Sequence, residues 1–351
     1  MSISDRLHYE NRRGDLGQME NPGHSKEAPN QHLSKPRWAL LNMKRLRTEK
    51  SKAWVVSLLI LAGLSFGQQV VDDTYNATVA DPAFKDKHPR VVIDAAHFNV
   101  HTAEGGYKPF ADLVTSDGCR VASNTKPFSS QSLQAFDILV IANARGAAMR
   151  NDPNVDKPAF TDAECDAVRD WIRAGGSLLF IADHWPIGSA SECLARRFGV
   201  QMSKGRTLDP VNFDSSRPSL SSLAFTRDNG LLGEHPITRG RNDKERIGRF
   251  VTFTGQSLKG PEGSVAFLKL SDKAYDIVPP DNRRIPAAGR AQGLALKYGK
   301  GRVVVMGEAG CLTAQKTGGR RRSLPMGMNA PGLDNRQMAL NIVHWLAGLL
   351  D

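Results

Sequence analysis

The run VVIDAAHFNVH, residues 91–101, begins as a β-branched apolar segment and ends in Asp94, His97, Asn99 and His101. These side chains move protons, exchange hydrogen bonds or ligate metals. Two further apolar runs end in the same way. SLLFIA (177–182) leads into Asp183, His184 and Trp185, and RVVVM (302–306) leads into Gly307 and Glu308. Asp94, Asp183 and Glu308 offer carboxylates for general acid–base work, and His97 and His184 offer imidazoles for the same task. His97 and His101 are four residues apart. On a helical turn that spacing puts both rings on one face, where with His184 they would hold a divalent metal. The run lacks the glutamate of an H-E-x-x-H zinc site. Each residue also has a plainer role. An aspartate after a strand caps the next helix, and an isolated histidine is often satisfied within the core. Three strand ends in agreement favour a ligand or catalytic site.

Asn99 and His101 are candidate ligand contacts. Trp185 would stack on a sugar face or else line a rim, and Asn329, before the last helix, would donate to a ligand or else serve a turn. A nucleophile is harder to find. The segment Ala182, Asp183, His184, Trp185, Pro186 has neither Ser nor Cys where a hydrolase elbow or an amidotransferase would place one. Ser189, Ser191 and Cys193 fall in or near the following helix. Residues 327–332 have the glycine spacing of a phosphate loop without its Lys-Ser/Thr, and no G-x-G-x-x-G follows the first strand. No nucleotide cofactor is therefore expected.

The elements that would position these groups alternate. A strand at 90–94 precedes a helix at 107–116, with Phe110, Leu113 and Val114 at helical spacing and a stop at Asp117 and Gly118. A strand at 120–122, a short helix at 129–135 and an apolar strand at 136–142 come next. Thr161 and Glu164 form a capping box for a helix bearing Val168, Trp171 and Ile172. The strand 177–182 and a helix at 190–198 complete the series. The alternation predicts an α/β, doubly wound, mostly parallel sheet with helices on both faces, of flavodoxin-like type. Residues 203–262 have breakers and no clear period, which predicts an irregular insertion. Strands at 264–270, 291–298 and 302–306 and a closing helix at 335–349 follow. Ligands of open α/β sheets bind at the carboxyl ends of the strands, where the candidate residues lie.

The chain has 351 residues, 40% of them hydrophobic, enough for a sizeable core. Its net charge is +11, of which +5 belongs to residues 1–52. The remainder has an ordinary charge balance, and Arg320 to Arg322 read as a solvated basic loop, so no nucleic-acid partner is expected. A basic run from Met43 precedes the uncharged apolar segment 53–66. Fourteen residues at a ~1.5 Å rise reach about 21 Å, short of the ~30 Å hydrocarbon core. Residues 43–67 thus have the outline of a secretory signal peptide, or alternatively of an uncleaved signal anchor. Residues 1–42 read as disordered, or as preceding a true start at Met43. An exported protein is expected, periplasmic or extracellular, with membrane contact only through 53–66. Cys119, Cys165, Cys193 and Cys311 show no C-x-x-C spacing and read as disulfide partners or buried thiols.

The runs DAAHFNVHTAEGGYKPFADLVTSDG, FDILVIANA, GGSLLFIADHWP and GKGRVVVMGEAG, with the tail PMGMNAPGLDNRQMALNIVHWLAGLL, together resemble bacterial proteins of the domain of unknown function 4350 type. The likeness spans about 88–351. It implies a class I glutamine amidotransferase-like fold over that domain. It does not imply glutamine hydrolysis, because Asp183 and His184 stand where that chemistry needs a cysteine, and Glu308 has no histidine beside it. By analogy of fold the resemblance implies a carbohydrate or other small polar ligand. Two functions follow: a hydrolase on such a substrate, or a non-catalytic module that binds a glycan or a partner protein.

Overall fold

Val91, Val92, Ile93, every residue from Ile138 to Ala142 and Leu178 to Ile181 are fully buried. Strands apolar at every position must be covered on both faces. In the computed structural model, residues 69–217, 219–317 and 324–351 are described. The extension 1–42, the leader at 43–67 and the basic run Arg320 to Arg322 lie outside them.

Nine strands form the main sheet: β1 (Arg90–Asp94), β2 (Arg120–Asn124), β3 (Ile138–Ala142), β4 (Ser177–Ile181), β5 (Gln201–Met202), β6 (Leu258–Lys259), β7 (Val265–Lys269), β8 (Ala291–Tyr298) and β9 (Gly301–Met306). Their order is β2-β1-β3-β4-β9-β8-β6-β5, and β7 also pairs with β8. The first five in that order are mutually parallel. The rest are antiparallel. The sheet is therefore mixed rather than mostly parallel. The cause is local: Tyr298 pairs with Gly301 across a tight turn, in which Gly299 has φ +60°. A two-residue connection can make only an antiparallel pair.

Helices α1 (Lys108–Ser116) and α4 (Asn335–Leu346) cover one face, and α2 (Asp162–Arg173) and α3 (Ile187–Arg197) the other. Alternation along each strand sends Ile93, Val140, Leu179 and Val304 to the first face, where they meet Phe110, Leu113 and Ile342. It sends Val92, Leu139, Phe180 and Val305 to the second, against Val168, Ile172 and Leu194. The stretch 203–262 is irregular as expected, yet it contributes β6 and two short antiparallel pairings. Arg206–Leu208 joins Tyr275–Val278, and Ala224–Thr226 joins Arg249–Val251. Strands of two to four residues are too short to show a period. Among the described residues no helix is long and apolar enough to cross a membrane.

The register fixes the site. Ile93 pairs with Val140, Ala142 with Ile181, and Ile181 with Met306. Asp94, Asn143, Asp183 and Glu308 therefore emerge at one end of four adjacent parallel strands.

Candidate active site

The three strand ends deliver their residues to two separate clusters. In the first, His97 lies between two carboxylates. Its Nδ1 is 2.8 Å from Asp94 Oδ2 and its Nε2 is 2.8 Å from Glu164 Oε1. Both partners are acceptors, so the ring is an imidazolium that donates from both nitrogens. Burial pulls its pKa down, but the hydrogen bonds and charges of Asp94 and Glu164 outweigh that, and it rises above the ordinary 6.5. For Glu164, burial acts upward, but bonds from the Thr161 and Phe128 backbone and from His97 bring it below its ordinary 4.5. Phe128 and Phe160 flank the imidazole at centroid distances of 4.6 and 4.8 Å.

Asp94 is saturated. Its oxygens also accept from Asn99 Nδ2 (2.5 Å), Asn124 Nδ2 (3.0 Å) and the Ala96 amide (3.3 Å). Asn99 Oδ1 accepts from the Ala142 amide at 3.1 Å, which pins the loop after β1 to the end of β3. Asp94, His97 and Asn99, read as catalytic or ligand-binding from sequence, are thus a buried strut that fixes this loop. The metal set expected from His97, His101 and His184 is not assembled. Both His97 nitrogens are occupied, and His101 stacks on Tyr107 with ring centroids 5.1 Å apart. Among the described residues no three His, Cys, Asp or Glu side chains converge as a metal set.

The second cluster is different in kind. Asp183 is half-buried, and its oxygens accept from Asn143 Nδ2 (2.8 Å) and the Ala309 amide (2.8 Å). Asn143 Oδ1 accepts from the Asp183 amide at 3.0 Å, so the asparagine grips both ends of the residue. Asn143 has φ +63°, a conformation asparagine tolerates better than most side chains. Glu308 is buried and accepts from the Gly310 and Cys311 amides at 2.7 and 2.9 Å. Burial and then the like charge of Glu308 push the Asp183 carboxyl well above the usual range. Burial also raises Glu308, against the hydrogen bonds that its oxygens accept. Both shifts favour the protonated carboxyl over the carboxylate.

His184 Nδ1 is 2.9 Å from the carbonyl oxygen of Trp185. A carbonyl only accepts, so Nδ1 carries the proton and Nε2 keeps its lone pair. Burial first, and then the charges of Arg206 and Arg150, lower its pKa and keep the ring neutral. Gln256 holds the turn in place. Its Nε2 donates to the carbonyls of Ala182 (2.9 Å) and Asp183 (3.0 Å), while its Oε1 accepts from the Lys204 amide (2.7 Å).

Asp183, His184, His101 and Trp185 line a cavity of about 260 Å³ together with Asn143, Arg145 and Arg150. A second cavity of about 320 Å³, lined by Lys204 and Arg206, meets it at Arg150, His184, Trp185 and Pro186. The two cavities lie side by side at the carboxyl ends of the strands, sharing these four residues as a common wall, and are together termed the cleft. His101 contributes a neutral wall, with burial lowering its pKa to about 4. Glu308 acts through Asp183 rather than in the cleft. Asn329 is elsewhere: its Nδ2 donates to Asp72 Oδ2 at 2.8 Å and to the Gln315 carbonyl at 3.1 Å, a structural tie rather than a ligand contact.

Asn143 was within reach of sequence reasoning, since it too follows a buried strand. Glu164 was visible only as a helix cap, and its second role needs the fold. Arg145 and Arg150 come from a loop without a pattern, and Arg206 from a strand of three residues, too short to show one.

No family model and no curated protein matches the chain. Among solved structures, the mmIFT52 N-terminal domain superposes with a TM-score of 0.52 at 15% identity, covering 73% of this chain and 97% of that one. A ThuA-like protein from Bacteroides uniformis gives a TM-score of 0.38 at 12% identity, over 78% of this chain and 95% of that one. A cytoplasmic protein from Salmonella typhimurium gives 0.39 at 14% identity, over 73% and 99%. The first likeness is one of fold, and at such identities fold is not function.

Proposed function

We propose that this chain is a hydrolase acting on a small polar substrate, with Asp183 as general acid and His184 as general base. The observation that carries the proposal is their joint presence on one cavity: a carboxyl whose hold on its proton burial and Glu308 strengthen, beside an imidazole whose hold burial weakens and whose Nε2 meets no hydrogen-bond partner among the described residues. Neither Ser nor Cys stands at the turn, so water is the nucleophile. His184 Nε2 takes a proton as water adds to the electrophilic centre, and Asp183 gives its proton to the leaving oxygen. The proton then returns from imidazolium to carboxylate through solvent.

The scaffold we infer is doubly wound and of class I amidotransferase-like type, as the domain of unknown function 4350 resemblance implies. The strand order of the parallel half supports this, because 2-1-3-4 followed by a fifth parallel strand is the flavodoxin-like arrangement. Export through the segment 53–66 belongs to the same proposal. Fractionation followed by N-terminal sequencing tests it: a start near residue 68 supports a cleaved signal, an intact N-terminus in the membrane fraction supports the anchor, and a chain found in the cytoplasm alone refutes export.

Asp183→Asn and His184→Gln should each lower kcat on responsive p-nitrophenyl glycosides or esters by roughly 10²–10⁴-fold without unfolding the chain. The rate should fall on the acid side as His184 protonates and on the alkaline side as Asp183 loses its proton. Turnover indifferent to both variants would sink the assignment. A non-catalytic glycan-binding role is favoured by one observation, the 44% exposure of Trp185 at the cleft edge. Glycan binding that Trp185→Ala abolishes, with no turnover of any substrate, would select it.

A further inference from the structure

The cleft is ringed by four cations, of which the three arginines have no carboxylate partner among the described residues. Arg150 and Arg206 are both exposed, and both line the cavity that holds His184 and Trp185. Arg145 lines the adjoining cavity, with its Nε committed to the Phe98 carbonyl at 2.9 Å. Lys204 is paired with Glu192 at 2.9 Å. Among the described residues no carboxylate pairs with Arg145, Arg150 or Arg206. Many arginines elsewhere on the surface are paired, as Arg90 is with Asp137, Arg197 with Asp162 and Arg227 with Glu234. The one carboxyl that lines either cavity is Asp183, in which burial and the charge of Glu308 favour the uncharged form.

Cationic groups around a concave, low-dielectric wall focus positive potential into it. A guanidinium presents a planar fork of donors that matches a carboxylate or phosphate through two parallel hydrogen bonds. The two adjacent cavities, about 260 and 320 Å³, each suit a ligand of monosaccharide size. We propose that the cleft binds a small substrate bearing an oxyanion, a carboxylate or phosphate ester on a sugar-sized body, with the anion gripped by Arg150 and Arg206. The depressed pKa of His184 fits this arrangement, since both guanidinium charges act on it. A bound anion would offset those charges and make the imidazole a stronger base as substrate arrives. The placement of the reactive bond beside Asp183 and His184 rests on the hydrolase reading above, whereas the anion grip does not.

The test is calorimetric titration of the full chain with glucuronate, glucose 6-phosphate and glucose, three probes that differ in one substituent. At least one anionic probe should bind about tenfold or more tightly than glucose. The Arg150→Gln/Arg206→Gln double variant should reduce that affinity to the level of glucose. Arg120→Gln/Lys300→Gln removes the same charge at the opposite end of the parallel strands and should leave affinity unchanged. Preference for glucuronate identifies a carboxylate substrate, and preference for glucose 6-phosphate a phosphate ester. Equal binding of the three probes, binding of none, or equal loss in both double variants would overturn the proposal. The readout does not depend on turnover. If the hydrolase reading fails, Asp183→Asn still shows the anion preference. If the anion grip fails, turnover of neutral substrates remains to be found.

Discussion

Asp94 and Asp183 look alike in sequence, each at the end of a buried apolar run, yet their neighbours give them opposite roles. Asp94 meets a cation and three further donors and is spent on structure. Asp183 meets a second carboxyl, whose charge and burial together favour its protonated form. The first case makes a prediction about stability. His97→Ala would leave Asp94 and Glu164 buried without their counter-ion, and breaking a buried pair on one side costs about 3–5 kcal/mol. The pH dependence follows from the two shifts. His97 is raised, so its contribution is complete below its ordinary 6.5 and fades as pH climbs through its folded value. Glu164 is lowered, so its contribution is complete above its ordinary 4.5 and fades as pH falls through its folded value. Urea unfolding should therefore show the largest gap between wild type and His97→Ala between pH 4.5 and 6.5. A gap independent of pH would mean that the loss is one of packing alone.

At the scale of elements, the start of α2 does more than begin a helix. The Thr161 side chain accepts from the Glu164 amide and donates to Glu164 Oε2 at 2.8 Å, while the other oxygen of Glu164 holds His97. Cap and strut share one carboxylate. Ser129 caps the helical turn Ser130–Leu133 through an equivalent box with Ser132, but on the surface, where the Ser132 hydroxyl reaches only the nearby Ser129 and Pro127 carbonyls. Thr161→Ala should lower stability by about 1–2 kcal/mol, the upper part of the usual range for a lost cap, and Ser129→Ala by about 0.5 kcal/mol. Denaturant midpoints of the two variants decide the matter. Equal losses would show that the coupling between cap and strut is energetically idle.

For the molecule as a whole, the two apolar layers share every central strand. Val303 and Val304 are adjacent, yet they face opposite layers. Neither layer can come apart while the other keeps its sheet, so both should unfold in one cooperative step. Trp171 reports on one layer and Trp345 on the other. Variants that retain only one of these tryptophans should give coincident urea midpoints by fluorescence. Separate midpoints would show that the layers are independent.

The sequence by itself determined the elements that carry the site. Buried strands declare themselves as unbroken apolar runs, helices as period and caps, and the residues just past the strands as candidates. Residues 291–298 read as a strand and are one, and the Thr161–Glu164 box was visible because both of its members are local. What the tertiary structure alone decided was the pairing of partners distant in the chain. His97 and Glu164 are 67 residues apart, Asp183 and the Ala309 amide 126. No local pattern tells a carboxylate that will meet an imidazolium from one that will meet a second carboxylate. Protonation, and with it any chemistry, depends on those neighbours and on burial, which exist only once the strands lie side by side.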